Sequence, residues 1–380
     1  MINTGDREKD YLLLLLRCAL LKQPAEVDNQ VDTERLLKLA NVQQVYNIIL
    51  PCLEEAHALS DEEKSKWNNY KLTELQKTLV VNHERESILA EFDKKGIKYI
   101  LLKGLVLREL YPQTLMRQMS DNDIMIPLEC REAAAEIMKA YGYYCSSSTF
   151  KSDDYFKEPY TMLELHFELF NHEYMKEIFT SDLVWSTATP AGGGTMLYKM
   201  SDELFYAFTL LHMFKHYIME GCGVRFLCDM YLLNKNSQDL DFDYINELLQ
   251  KIQDNPNSSL IEDLPDITIP QFKVMVDGLA NAVFEDGECN DEQMCLLIDM
   301  LNGAVYGKGE SYSEKVKAHG GKLGYVLSRL FPGKAVMRDN YPLLNKLPFL
   351  LPYFYIKRIF DRMRYKKSAV KKEINKLKKV

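Results

Sequence analysis

Apolar residues recur at spacings of three and four over residues 6 to about 92, as in Leu36, Leu37, Leu39, Val42, Val45, Ile48 and Ile49, which predicts three or four helices. The texture changes after Gly96. Ile97-Lys98-Tyr99-Ile100-Leu101-Leu102 is a short β-prone run ending at Lys103-Gly104, a strand that runs into a glycine turn. A short helix over 105–110 follows, stopped by Tyr111-Pro112. Asp121-Asn122-Asp123-Ile124-Met125-Ile126 is a second strand, ended by Pro127, and residues 129–141 read as helix. The run over 161–169 alternates strictly. Glu164, His166 and Glu168 share one face, with Leu163, Leu165, Phe167 and Leu169 on the other. Beyond a turn at Pro190 and Gly192-Gly193-Gly194, Ser201 is placed to cap a helix reaching Met219, and helical spacing continues to the end.

These elements predict an α+β chain. Residues 1–95 form an N-terminal helical segment, 96–200 a small α/β core, 201–356 a C-terminal helical domain and 357–380 a basic amphipathic tail helix. The tail's stripe is Ile356, Phe360, Met363, Val370, Ile374 and Leu377. Hydrophobic residues at 47% and charged residues at 27% are ordinary for a globular chain, which excludes disorder and low complexity. The longest apolar runs, 11–16 and 347–356, fall short of the roughly 18 residues that a membrane-spanning helix needs. The first ten residues are polar and acidic, unlike a signal peptide. Eight scattered cysteines without a Cys-x-x-Cys pair favour free thiols in a reducing cytoplasm. Charge is uneven: the tail carries +9 against −8 for the whole chain, so the body carries −17. An acidic body argues against a chain-wide nucleic-acid surface and leaves the tail either to pack its apolar stripe on the body or to contact an anionic partner such as RNA, a membrane surface or a partner helix.

The candidate chemistry sits in the α/β core. Asp121 and Asp123 are separated by one residue on a strand, so both carboxylates project from one face and suit either a shared cation or a solvated strand end. Glu164 supplies a third carboxylate if its strand neighbours theirs, and three converging oxygens suit Mg²⁺ with substrate phosphates in its shell. The Lys103-Gly104 junction allows close backbone approach and a helix N-terminus that holds phosphate, and Arg117 is placed to reach the same charges. His166 shares the face of Glu164, where it serves either the cleft or a structural hydrogen bond. His212 and His216, at helical spacing, read as packing or cleft-lining residues together with Lys215, and Arg225 with Asp229 as an ion pair along one helix. The glycine run from Gly303 to Gly309 has one residue too few and no Ser or Thr after Lys308, so it is not a phosphate loop.

The order strand, glycine turn, short helix, Asp-x-Asp strand, then an acid on a further strand resembles the nucleotidyltransferase superfamily typified by polymerase β. Leu102-Lys103-Gly104, Leu110-Tyr111-Pro112, Arg117 and Ser120-Asp121-Asn122-Asp123-Ile124 resemble the bacterial "uncharacterised nucleotidyltransferase" family. Leu163-Glu164-Leu165-His166 is similar to its acid-x-His strand, and Met200-Ser201-Asp202-Glu203 leading to His212, His216, Arg225 and Asp229 to its following helical part. The likeness spans about 97–230, and Phe331-Pro332, Tyr341-Pro342 and Leu350-Leu351-Pro352 to Arg358 are similar to a C-terminal extension in some members. Three departures stand out: Gly104-Leu105 replaces the usual Gly-Gly or Gly-Ser pair, the gap to Asp121 is slightly long, and Asn122 is polar where an apolar residue is usual.

The resemblance implies a minimal mixed sheet flanked by helical segments. It also implies two Mg²⁺ ions bound by Asp121 and Asp123, with Glu164 completing the catalytic metal site or orienting the attacking group. An NTP is then the substrate, contacted by Lys103, Gly104, Arg117, His166 and Lys215, and pyrophosphate is the leaving group. The resemblance leaves the acceptor open among small molecules, RNA and protein side chains. A non-catalytic binding or regulatory protein that keeps the fold is the alternative, which loss of convergence among Asp121, Asp123 and Glu164 would favour.

Overall fold

Asp6 accepts the backbone N–H of Lys9 and so starts helix α1 (Arg7–Leu21), whose Leu12, Leu15, Leu16 and Ala19 form one buried stripe. This computed structural model describes residues 2–119, 121–159, 161–171, 173–219, 221–236, 239–256, 267–304, 324, 330, 331, 333, 334, 337, 341 and 343–357. Of the tail expected over 357–380, residues 358–380 lie outside them, as does most of the glycine run around Gly307. Asp32 caps α2 (Thr33–Val42), and α3 (Tyr46–Glu55) follows. A reciprocal pair, Ser60 with Glu63, opens the 35-residue α4 (Asp61–Lys95), and Gly96 at φ +68° closes it.

The texture change at Gly96 is where a seven-stranded mixed sheet begins. Its strands are β1 (Tyr99–Leu101), β2 (Asn122–Met125), β3 (Tyr144–Ser148), β4 (Ser152–Lys157), β5 (Thr161–His166), β6 (Thr189–Pro190) and β7 (Leu197–Lys199), in spatial order β3-β4-β5-β2-β1-β7-β6. β2 lies at the centre, antiparallel to β1 and parallel to β5. Three of these strands were legible from periodicity, whereas the β3–β4 hairpin was not, because Cys145-Ser146-Ser147-Ser148 carries no apolar alternation. The three glycines join β6 to β7 as a hairpin, each at positive φ. Helices α5 (Gly104–Leu107), α6 (Arg131–Ala140), α7 (Glu173–Lys176) and α8 (Ser181–Thr187) fill the connections.

Ser201 Oγ accepts the N–H of Leu204 at the start of α9 (Asp202–Met219), and α10 (Val224–Lys235), α11 (Phe242–Gln253), α12 (Ile269–Phe284) and α13 (Asp291–Asn302) follow. The helices before and after the sheet share one apolar core: Leu12 and Leu16 of α1 join Phe214 of α9, Leu227 of α10, Phe272 of α12 and Leu297 of α13. A second cluster seals the sheet against α4 and α6 through Ile88, Phe92, Ile124, Ile137, Leu163 and Leu165. The architecture is α+β. Among the described residues, no helix is long and apolar enough to cross a membrane.

Candidate functional site

Register brings the acids together. Asp123 on β2 pairs with Glu164 on β5, so the two side chains leave the sheet on the same face, and His166 lies two residues further along that face. One ligand atom from each of Asp123, Glu164 and His166 lies within 4.8 Å of the others. Asn122 points the other way, where it is fully buried, accepts from Arg85 of α4 at 3.1 Å and donates to Met162 O at 3.3 Å. A polar residue between the acids is therefore compatible with a strand buried on both faces. Glu168, expected on the acidic face, turns away to the start of α8, accepting the N–H and hydroxyl of Ser181 at 3.1 and 2.8 Å.

A cavity of about 360 Å³ opens over these acids, under α9 and α10. Lys103, Gly104, Arg117, Asp121, Asp123, Glu164 and Lys215 all line it, while His166, 1% exposed, sits behind the carboxylates. The His166 ring donates from Nε2 to Asp123 Oδ1 at 2.8 Å, and its buried Nδ1 has no partner among the described residues. Lys103 Nζ reaches the same Oδ1 at 2.6 Å, and Lys151 Nζ reaches Glu164 Oε1 at 3.1 Å. Burial pushes the Asp123 and Glu164 carboxyls up, but the lysines and His166 outweigh it and hold both below the usual carboxylate range. Burial likewise works against the Lys103 ammonium, and Asp123, Glu164 and Asp121 more than offset it, so Lys103 stays charged. Asp121, partly exposed just before β2, contributes to that field without belonging to the ligand trio.

The glycine turn has a specific reason. A Cβ at Gly104 would overlap Nη1 of Arg117, whose guanidinium crosses the turn to reach Asp229 on α10. There Nε and Nη2 each bond a different Asp229 oxygen at 2.7 Å, and Tyr111 Oη donates to Oδ1 at 2.7 Å. This corrects the expected pairing along α10. Arg225 reaches Gln44 and, at 3.3 Å, Gln118 O, because the room that Gly104 leaves gives Asp229 to Arg117. Gly104→Ala is expected to cost about 1–3 kcal/mol through overpacking against that pair. An unchanged urea midpoint would mean that Arg117 can give way.

From α9, Thr209, His212 and His216 form one stripe facing the cavity. The two imidazoles meet edge to face at 4.6 Å beside Phe226, and among the described residues no third ligand joins them as a metal set. Burial, followed by the positive charge of Lys215, Lys103 and Arg225, pushes His216 down to about 4. Burial pushes His212 well below its ordinary value. An unfolded histidine takes its proton near 6.5, so the folded chain is at full stability above that pH and loses stability as pH falls towards 4. His216→Gln is expected to remove about 1–2 kcal/mol of the loss between pH 7 and pH 5, a window above the carboxylates' range. Chemical denaturation at the two pH values reads this, and equal slopes for the two proteins would contradict it.

Sequence reasoning assigned no role to Lys151 and left Arg85 unnoticed. Lys151 enters from the unpredicted β3–β4 hairpin and Arg85 from the middle of a long helix, and neither has a local signal. The model of the uncharacterised nucleotidyltransferase family matches residues 29–254, from just before α2 to just after α11, and takes in the whole sheet and the cavity. The chain belongs to this family. No curated protein matches this nucleotidyltransferase-family chain. A solution structure of the antibiotic-resistance factor ANT(2'')-Ia is similar over 46% of this chain and 89% of its own, at 13% identity and a TM-score of 0.33.

Proposed function

We propose that this chain moves an NMP from an NTP to an acceptor, with Mg²⁺ held by Asp121, Asp123 and Glu164. The single observation that carries the reading is the in-register convergence of Asp123 and Glu164 under a cavity walled by lysines. It also argues against the non-catalytic alternative. The donor set fits magnesium: the carboxyls are ionised, their oxygens are hard ligands, and the one nitrogen, His166 Nε2, is engaged as a donor to Asp123. Mg²⁺, taken as two ions, would supply Lewis-acid stabilisation of the charge that develops around the α-phosphorus.

The chain's own residues do the rest. Lys103, Lys151 and Lys215 offer ammonium groups to the triphosphate. His166 orients Asp123. Arg117, bound to Asp229, acts as a positioning residue for the segment leading to Asp121. An acceptor oxygen forms a bond to the α-phosphorus, the bond to the bridging oxygen breaks, and pyrophosphate leaves with that electron pair. The acceptor is a small molecule, RNA or protein group. The basic tail is proposed as a contact for an anionic partner, and the eight free cysteines fit a reducing cytoplasm.

Incubating the protein with α-labelled NTPs, Mg²⁺ and fractionated cell extract tests the reading. Label transferred to an acceptor, with one pyrophosphate released per label and none from Glu164→Gln, is the expected result. Label that appears equally with Glu164→Gln would overturn it.

A further inference from the structure

Both carboxylates at the centre of the site already have a cation. Lys103 Nζ lies 2.6 Å from Asp123 Oδ1 and Lys151 Nζ 3.1 Å from Glu164 Oε1, and both lysines line the cavity. They arrive from opposite sides in the strand order, Lys103 from the turn after β1 and Lys151 from the turn before β4. Two carboxylates across neighbouring strands repel unless neutralised, and the two ammonium groups carry the charge of one divalent cation.

The Lys103 backbone strengthens the point. It sits at φ +47°, ψ −122°, a conformation that glycine adopts freely and that costs a side-chain-bearing residue about 1–3 kcal/mol. A lysine kept in glycine's conformation implies that its ammonium is needed there.

Charge bookkeeping then links metal and nucleotide. A divalent ion joining Asp123 and Glu164 while both lysines stay would leave the buried cavity strongly positive, and a metal-free triphosphate would meet ionised carboxylates. Both penalties vanish together if the lysines change partners. Resting on the metal-site reading above, we propose that Lys103 and Lys151 are exchangeable counter-ions. They hold Asp123 and Glu164 in the metal-free protein and turn to nucleotide phosphates when those carboxylates take a divalent cation, so that metal and triphosphate each favour the other's binding.

The test uses Mn²⁺ alone, followed by its EPR signal, and inorganic tripolyphosphate alone in excess EDTA, followed by calorimetry, on the full chain. Lys103→Gly, which suits the backbone, and Lys151→Met are each expected to tighten Mn²⁺ about tenfold, the effect of losing one competing charge contact, and to weaken tripolyphosphate. Lys215→Met is the control for charge acting through space. Among the described residues the ion pairs of Asp123 and Glu164 go to Lys103, Lys151 and His166, while Lys215 lines the same cavity, and its loss is expected to change Mn²⁺ affinity less than about threefold. In the reciprocal arm, Asp123→Asn with Glu164→Gln is expected to tighten metal-free tripolyphosphate by about tenfold.

If Lys103→Gly and Lys151→Met leave Mn²⁺ affinity unchanged or lower, or match Lys215→Met, the exchange is overturned. If Mn²⁺ binds wild type and Asp123→Asn equally, the metal site itself falls and the exchange with it. Circular dichroism and melting show whether each variant is folded.

Discussion

Asp123→Asn is expected to lower metal-dependent NMP transfer by about a thousandfold or more, because the proposed reaction rests several kcal/mol of charge stabilisation around the α-phosphorus on that carboxylate. Asn keeps an oxygen for Lys103 and His166, which reach Asp123 Oδ1 at 2.6 and 2.8 Å, so the local hydrogen bonds survive the loss of charge. Folding is therefore expected to persist, with a urea midpoint close to wild type. Label transfer from α-labelled NTP reads the first effect and denaturation the second. Transfer within about tenfold of wild type would remove Asp123 from the reaction.

Arg117→Met is expected to be the most destabilising single change near the site. It leaves Asp229, 2% exposed, as a buried carboxylate with Tyr111 as its remaining bonded partner among the described residues, and breaking a buried pair from one side costs about 3–5 kcal/mol. The double variant Arg117→Met with Asp229→Leu is expected to recover most of that loss, since a buried pair replaced by apolar residues of similar size is often neutral. The pair joins the loop before β2 to helix α10, so the single variant also loosens the approach to Asp121. Urea denaturation of the two singles and the double measures the coupling. Single variants within about 1 kcal/mol of wild type would contradict it.

The parts of the site that could be read in advance are those written into a local period. Glu164 and His166 stood out because β5 alternates, and Asp121 and Asp123 because two acids one residue apart share a strand face. What pairs with them was not legible. Asp229 meets Arg117 across 112 residues and Asn122 meets Arg85 across 37, distances over which neither helix nor strand periodicity carries information. Lys151 escaped notice because the hairpin that delivers it is built on serines, where sheet pairing decides the structure and apolar alternation does not. Glu168 misled by continuing the alternation of β5 past its end at His166, where its carboxylate serves as a helix cap. Gly104 was marked as a place for phosphate approach. The side chain that occupies its open space is Arg117, a reason that appears only once the chain has folded.

The most direct measurement is equilibrium binding of the four NTPs, with and without Mg²⁺, to wild type and to the Asp121→Asn, Asp123→Asn double variant. Binding that requires Mg²⁺ and disappears in a folded double variant is the expected result. Binding of equal strength in both proteins, or binding indifferent to Mg²⁺, would contradict the assignment of these aspartates to a metal-nucleotide site.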